Sequence, residues 1–176
     1  VSESDNNIVV VGMGESPVRG VMTSSGDGVY KSTDAGDTWE HIGLDGTKHI
    51  SQVRIHPSDP DIMYVSAQGS PYASTDERGV YRTVDGGKNW ERVLFVDSSS
   101  GANDLAIDYT NPRALYASFW DHQRVPWYVR SGGKGSGIWK SVDGGDTWKK
   151  LTEGLPSTVM GKIGVTVSRA NPKLVY

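Results

Sequence analysis

Apolar residues occur along this chain in short runs, separated by segments rich in Gly, Pro, Asp and Asn. Runs such as Ile8–Val11 and Ile62–Val65 are apolar at successive positions, which is typical of strands buried on both faces. No segment repeats apolar residues at the helical spacing of about 3.6 positions. The pattern therefore predicts an all-β fold of short strands joined by tight turns.

A motif that occurs three times organises these runs. It consists of Gly, two apolar residues and a basic residue, followed by Ser/Thr-x-Asp-x-Gly-x-x-Trp. A second motif, Asp/Asn-Pro with a Tyr four positions later, recurs with the same period of about 50 to 60 residues, which is in the range of propeller blades. The defining residues of the first motif are Ser32, Asp34, Gly36 and Trp39, then Thr83, Asp85, Gly87 and Trp90, then Ser141, Asp143, Gly145 and Trp148.

Each period contains four apolar runs, labelled strands A to D. In the second unit they are predicted at Ile50–His56, Ile62–Gln68, Gly79–Thr83 and Asn89–Leu94. Asp/Asn-Pro is expected to make the A–B turn, because proline presets a turn torsion and cannot continue a strand. The motif glycine is expected to make the C–D turn with a positive φ.

The whole chain, residues 1–176, is predicted to be a partial β-propeller of four-stranded antiparallel blades. Its units are predicted at about 1–43, 44–95 and 96–152, with a further blade beginning in 153–176. The strand contents are B-C-D, A-B-C-D, A-B-C-D and then A, so about three blades are present, offset by one strand. Propellers typically have at least four blades. We expect the remaining blades of a longer chain, or further copies of this chain, to complete the ring.

Strand order also separates the two faces of such a propeller. The A–B and C–D turns lie on one face, and the B–C and D–A loops lie on the other. The B–C loops are predicted at Met13–Asp27, Gly69–Arg78 and Trp120–Ser136, and they are the irregular parts of the chain. Since long loops on a regular scaffold tend to carry function, we expect the binding face opposite the repeated motifs.

Charged and aromatic residues of these loops are the candidate ligand contacts. Aromatic rings there would stack on sugar rings or on peptide side chains. The alternative is that Trp120 and Trp127 fill the central funnel while the charges pair with one another. Both interpretations stay open. The candidates are Glu15, Arg19, Arg78, Trp120, His122, Arg124, Trp127, Tyr128 and Arg130.

Glycoside hydrolysis would require two carboxylates on either side of the scissile bond. The acidic residues available in the loops are Glu15, Asp76, Glu77 and Asp121. The repeated carboxylates Asp34, Asp85 and Asp143 are expected to be structural instead. A hairpin Asp accepts hydrogen bonds from nearby backbone N–H groups, and equivalent copies on different blades cannot converge on one substrate.

Composition and charge exclude several kinds of partner. The net charge is −3 and the sequence pI is about 5.8, so a nucleic-acid partner is not expected. No apolar run approaches the roughly 20 residues that span a bilayer, so membrane insertion is not expected. There is no Cys, and the four His residues show no ligand spacing, so neither a metal nor a cofactor is expected.

The three repeated motifs resemble the Asp-box, or bacterial neuraminidase repeat. This repeat is shared by sialidases, xyloglucanase-type glycoside hydrolases and sortilin-type sorting receptors. Gly12–Glu15, Glu77–Tyr81 and Pro126-Trp127 further resemble the sortilin-like repeat proteins of bacteria, which are often labelled glycosyl hydrolases. The resemblance implies a propeller in which the boxes are structural, in an extracellular or periplasmic protein. The catalytic residues of the related enzymes have no residue-by-residue match in this chain.

These observations favour a non-catalytic binding or scaffold module for a peptide or a glycan. The alternative is a fragment of a carbohydrate-active glycoside hydrolase, either xyloglucanase-like or sialidase-like. A third interpretation is a purely structural propeller for protein assembly. Assays of the full-length protein on polysaccharides and aryl glycosides would distinguish the first two.

Overall fold

The computed structural model describes residues 1–16 and 22–176 and consists of three antiparallel sheets. The strands of the first sheet are β1 (Val9–Gly12), β2 (Val29–Ser32) and β3 (Glu40–His41). A short 3-10 turn, Asp45–Thr47, leads to the second sheet of β4 (Ile50–Ile55), β5 (Met63–Ala67), β6 (Gly79–Thr83) and β7 (Glu91–Leu94). The third sheet contains β8 (Ser100–Ile107), β9 (Leu115–Val125), β10 (Tyr128–Ser131), β11 (Gly137–Ser141) and β12 (Lys149–Leu151).

The predicted all-β architecture, with about three blades offset by one strand, is confirmed. The first sheet has the order β1-β2-β3 and corresponds to strands B, C and D. The second has the order β4-β5-β6-β7, and the third has β8, β9, β11 and β12 in the same positions. A bridge between Val167 and Val175 begins a further unit. The described part of the chain contains no helix long and apolar enough to cross a membrane.

The largest apolar cluster lies between the second and third sheets. Tyr64 and Val80 of the second sheet pack there with Leu105, Leu115 and Phe119 of the third. Every residue of β5 is buried, as expected for an apolar run covered on both faces. The same expectation for Ile8–Val11 is wrong. The first sheet packs through one side on the second sheet, and its other side leaves Val11 and Trp39 exposed.

Each repeated box folds into a turn that uses its own polar groups. In the second box the Thr83 hydroxyl donates to Asp85 Oδ1 at 2.8 Å and accepts the Gly87 N–H at 3.0 Å. The same carboxylate accepts the backbone N–H and the side-chain amide of Asn89. The hydrogen bonds from Asn89 and Thr83 lower the pKa of Asp85 to about 2. The motif glycine adopts a positive φ in all three boxes, 105° at Gly36, 99° at Gly87 and 94° at Gly145.

The basic residue that precedes each of the first two boxes joins neighbouring sheets. Lys31 Nζ of the first sheet donates to the carbonyl of Gly86 in the second box at 3.2 Å. Arg82 Nη1 of the second sheet donates to the carbonyl of Gly144 in the third box at 2.9 Å, and the Tyr64 hydroxyl donates to the same oxygen at 2.9 Å. Hydrogen bonds on the box face therefore connect the first sheet to the second and the second sheet to the third.

The stretch Trp120–Ser136, predicted as an irregular loop, is for the most part a β-hairpin. Strand β9 continues through this stretch to Val125, the chain reverses at Pro126-Trp127, and β10 pairs back along β9 with Tyr128 opposite Val125. The prediction was wrong because the polar residues here form the outer part of a long strand. The hairpin projects from the third sheet on the face opposite the boxes.

Candidate functional site

Three segments converge on the face opposite the boxes. The backbone N–H of Thr23, in the first B–C segment, donates to the hydroxyl of Tyr72 in the second at 2.9 Å. The backbone N–H of Arg124, in the hairpin, donates to the carbonyl of Pro71 at 2.7 Å. Hydrogen bonds thus connect one segment from each blade into a continuous surface.

An open groove of about 670 Å³ lies on this surface. Trp127 forms the tip of the hairpin with 80% of its surface exposed, and Tyr128 and Tyr72 are 45% and 41% exposed. Exposed aromatic side chains clustered in one concave surface are unusual unless they contact a ligand or partner. This surface is called the aromatic groove, and it is lined by Met22, Tyr72, Arg124, Val125, Pro126, Trp127, Tyr128 and Val129.

Two predicted ligand contacts of the hairpin lie in the interior instead. Trp120 is 6% exposed and stacks on His122, with ring centroids 3.9 Å apart. His122 is 2% exposed. Burial lowers its pKa to about 4, and the positive charges of nearby arginines act in the same direction. Since neither ring reaches the groove, both support the surface from below. Of the two tryptophans proposed to fill the funnel, only Trp120 lies inside the protein.

The charged residues of the hairpin are paired in part, as the alternative interpretation expected. Arg130 Nε donates to Asp121 Oδ1 at 2.8 Å, and Arg130 Nη1 donates to Gln123 Oε1 at 3.2 Å. The backbone N–H of Asp121 donates to the Ser136 hydroxyl at 3.0 Å. The Asp121 carboxylate, 15% exposed, is thereby held in an ion pair at the base of the hairpin.

The other acidic candidates occupy separate settings. Glu15 Oε2 accepts the backbone N–H of Ser24 at 3.1 Å within the first segment. Asp76 and Glu77 are exposed residues of the second segment. In residues 1–16 and 22–176, no group of three or more His, Asp or Glu side chains could hold a metal ion. Arg19 lies outside the described residues.

Arg78 was a candidate ligand contact, but the structure places its side chain in the interior, 1% exposed. The aromatic groove includes Met22, Tyr72, Val125, Pro126 and Val129, which were not candidates. The signal that could have identified Tyr72 was an aromatic residue inside a Gly-, Ser- and Pro-containing loop. Val125 and Val129 carried a weaker signal, as apolar residues beside a turn.

Comparison with known proteins assigns the family. The model of the Sortilin-Vps10 family, described as sortilin, neurotensin receptor 3, matches residues 27–171. The chain belongs to the Sortilin-Vps10 family. The resemblance of its three boxes to sortilin-like propellers is thereby confirmed.

Curated relatives of this Sortilin-Vps10 chain include both xyloglucanases and a vacuolar sorting/targeting protein. Xyloglucanase Xgh74A of Acetivibrio thermocellus is 25% identical over 138 residues, covering 70% of this chain and 15% of the enzyme. A xyloglucanase of a Paenibacillus species is 27% identical over 170 residues, covering 82% of this chain and 15% of the enzyme. Vacuolar protein sorting/targeting protein 10 of Kluyveromyces lactis is 31% identical over 91 residues, covering 47% of this chain and 5% of that protein. The chain therefore spans only a small part of each relative.

Solved structures give the same fold. The GH74 enzyme of Niastella koreensis superposes with a TM-score of 0.70 at 20% identity, covering 99% of this chain and 23% of the enzyme. An ancestral GH74 enzyme superposes with a TM-score of 0.69 at 18% identity, covering 100% of this chain and 20% of the enzyme. The three sheets of the Sortilin-Vps10 chain thus have the arrangement found in part of these larger proteins.

Proposed function

We propose that the chain supplies a glycan-binding surface of a β-propeller, and that the aromatic groove binds a neutral polysaccharide chain. The observation that carries this proposal is Trp127, which is 80% exposed at the tip of a hydrogen-bonded hairpin beside Tyr128 and Tyr72. A rigid, exposed ring presents a flat apolar face to the C–H face of a sugar. The remaining polar groups of the sugar stay hydrated at the open side of the groove.

A glycan is favoured over a peptide by the relatives and by the shape of the groove. The two xyloglucanases match 70% and 82% of this chain, whereas the vacuolar sorting/targeting protein matches 47%. The groove is open and lined mainly by aromatic and aliphatic side chains. Its exposed rings suit the stacking of consecutive sugar units, and a peptide would need backbone partners in addition.

Glycoside hydrolysis by the whole protein is the second candidate, and the names of the xyloglucanase relatives favour it. Within this chain, Asp121 is the acidic residue on the same hairpin as Trp127, and its carboxylate pairs with Arg130 at 2.8 Å. Hydrolysis of a glycosidic bond needs two carboxyl groups, one on either side of the bond. A second carboxylate would have to face Asp121 across the bound sugar.

Calorimetric titration with xyloglucan, cellulose and mannan oligosaccharides tests the binding proposal. Trp127→Ala is expected to weaken binding at least about tenfold, because the largest exposed ring of the groove is lost. Trp39→Ala is the matched control, since Trp39 is also an exposed tryptophan, 44% exposed, but lies on the uncovered side of the first sheet and not in the aromatic groove. Equal affinity of Trp127→Ala and wild type, or no binding to any oligosaccharide, would contradict the proposal. Release of reducing sugar that disappears in Asp121→Asn would support the hydrolase candidate.

A further inference from the structure

Arg78 is the most deeply buried charged side chain near the aromatic groove. It stands directly before β6 and is 1% exposed. Its guanidinium donates through Nη1 to the carbonyl of Ser99 at 2.8 Å, and through Nη2 to the carbonyls of Ser70 at 2.6 Å and Ala73 at 3.1 Å. One side chain thus binds two carbonyls of the second segment and one carbonyl of the segment that leads into β8.

The same two segments hold the base of the hairpin. The Ser99 carbonyl, which accepts from Arg78, also accepts the backbone N–H of His122 at 3.3 Å. Ser70 and Ala73 flank Pro71 and Tyr72. The Pro71 carbonyl accepts the backbone N–H of Arg124 at 2.7 Å, and the Tyr72 carbonyl accepts the Gln123 side-chain amide at 3.4 Å. Arg78 therefore contacts both anchors of the hairpin that carries Trp127.

The energetic cost of this arrangement is high. Burial lowers the pKa of Arg78 to about 10, so the side chain remains charged at neutral pH. Within residues 1–16 and 22–176 the guanidinium has no ion-pair partner and its Nε has no hydrogen-bond partner, while Asp97 and Asp121 act on it from a longer distance. A buried charge without a close counter-charge is costly. Such costs are typically retained where they fix a functional geometry.

Arginine is the side chain that suits this position. Its planar fork presents several N–H donors at fixed angles, so that three carbonyls can be bound at once. The ammonium group of lysine is a single point with three rotatable donors, and it cannot reach the same carbonyls in the same directions.

We infer that Arg78 is a positioning residue that fixes the Tyr72 segment and the Trp127 hairpin relative to each other, so that the aromatic groove is preformed. The inference rests on the proposed glycan binding for its functional part. Its structural part concerns only hydrogen bonds within the chain. A preformed groove binds more tightly because no ordering cost is incurred when the ligand arrives.

Arg78→Lys tests the inference by two measurements on the folded protein. Hydrogen exchange at the amides of Arg124 and His122 is expected to become about tenfold faster, while the amide of Val65 in β5 is unchanged. Affinity for the xyloglucan oligosaccharide is expected to fall about tenfold. Arg113→Lys, an exposed arginine on the box face, is the matched control and should alter neither measurement.

The two measurements separate the possible failures. If the amides of Arg124 and His122 exchange at their wild-type rates in Arg78→Lys, Arg78 does not fix the two segments and the inference is overturned. Faster exchange with unchanged glycan affinity would overturn the positioning role. A wild-type protein that binds no oligosaccharide would overturn the proposed function. The amide exchange alone would then show whether Arg78 fixes the two segments relative to each other. If Arg78→Lys fails to fold, NMR of the wild-type guanidinium replaces this variant. Nη protons protected from exchange would support the positioning role of Arg78, and rapidly exchanging Nη protons would overturn it.

Discussion

Polar side chains differ in their hydrogen bonding between the box face and the groove face of this chain. On the box face, the Thr83 hydroxyl binds both the Asp85 carboxylate and the Gly87 N–H, and equivalent bonds occur in the other two boxes. Near the groove face, several buried polar side chains have atoms without a hydrogen-bond partner in the described part of the chain. They are Thr23, His49, Gln68, Thr75, Arg78 and Ser100.

This difference indicates what each face is for. A repeated turn that satisfies its own polar groups needs nothing from its surroundings, so it can recur in every blade. Each unsatisfied buried polar group costs about 1 to 3 kcal/mol. The groove face lacks the self-contained pairing of the boxes, and departures from local rules are expected at functional surfaces. Variants that disturb one face test whether the properties of the other face change.

Acid is expected to have the largest effect, and to act first under the groove. Because burial lowers the pKa of His122 to about 4, the unfolded chain, with a His pKa near 6.5, binds the extra proton more readily. The contribution of neutral His122 to the free energy of unfolding is fully present above about pH 6.5 and is lost as the pH falls towards 4. The loss is about 3 kcal/mol. Box carboxylates act in a lower range: hydrogen bonds lower the pKa of Asp85 to about 2, so its contribution is lost below about pH 4.

Denaturant titrations between pH 7 and pH 4 measure this effect. His122→Gln should reduce the slope of the free energy of unfolding with pH in that range. His49, whose pKa is also lowered by burial, is expected to leave a smaller residual slope. His56→Gln, on the box face, serves as the control. An unchanged slope in His122→Gln would show that His122 does not carry the acid sensitivity.

A single hydroxyl on the box face is expected to have the next largest effect. Thr83→Ala leaves the buried N–H of Gly87 without its acceptor, and should lower the free energy of unfolding by about 2 kcal/mol. Thr83→Ser keeps the hydroxyl, and serine occupies this position in the other two boxes, so it should retain wild-type stability. Chemical denaturation compares the two variants. Equal stability of both would mean that the hydroxyl is dispensable, and a change in glycan affinity would mean that the faces are coupled.

The fold could be predicted because its determinants are local and repeated. Asp/Asn-Pro and Asp-x-Gly prescribe turns through the torsions that Pro and Gly allow, so strand order and the two faces followed from motif spacing alone. The hairpin could not be predicted in the same way. The outer part of β9 is the polar run Asp121–Arg124, and its turn, Pro126-Trp127, is not one of the Gly-containing pairs that mark two-residue hairpins.

The location of the candidate surface was predictable, but the depth of its residues was not. Arginine and histidine are usually exposed or half-buried, so Arg78 and His122 were expected to face a ligand. The burial of Arg78 depends on the carbonyls of Ser70 and Ser99, which belong to the backbone and leave no trace in the sequence. The burial of His122 depends on its stacking against Trp120. Trp127 was a candidate because it is an aromatic residue of an irregular loop, and the sequence left open whether it contacts a ligand or fills the funnel.

The smallest expected effect on stability comes from Arg82 and Lys31, the two basic residues that connect neighbouring blades on the box face. Arg82 binds the Gly144 carbonyl, Asp146 at 2.6 Å and Glu91 at 3.0 Å, whereas Lys31 binds the Gly86 carbonyl at 3.2 Å and lies 3.8 Å from Asp61. Arg82→Met should lower the free energy of unfolding by about 1 to 2 kcal/mol, and Lys31→Met by less than about 1 kcal/mol.

The same pair of variants completes the comparison of the two faces. Arg82 and Arg78 both bind backbone carbonyls of the next blade, but at opposite ends of the sheets. Arg82→Met should therefore leave hydrogen exchange at the Arg124 amide at its wild-type rate, even though it lowers stability. Faster exchange at that amide in Arg82→Met would mean that any loosening between the second and third sheets opens the groove. The preformed groove would then depend on the whole contact between the sheets and not on Arg78.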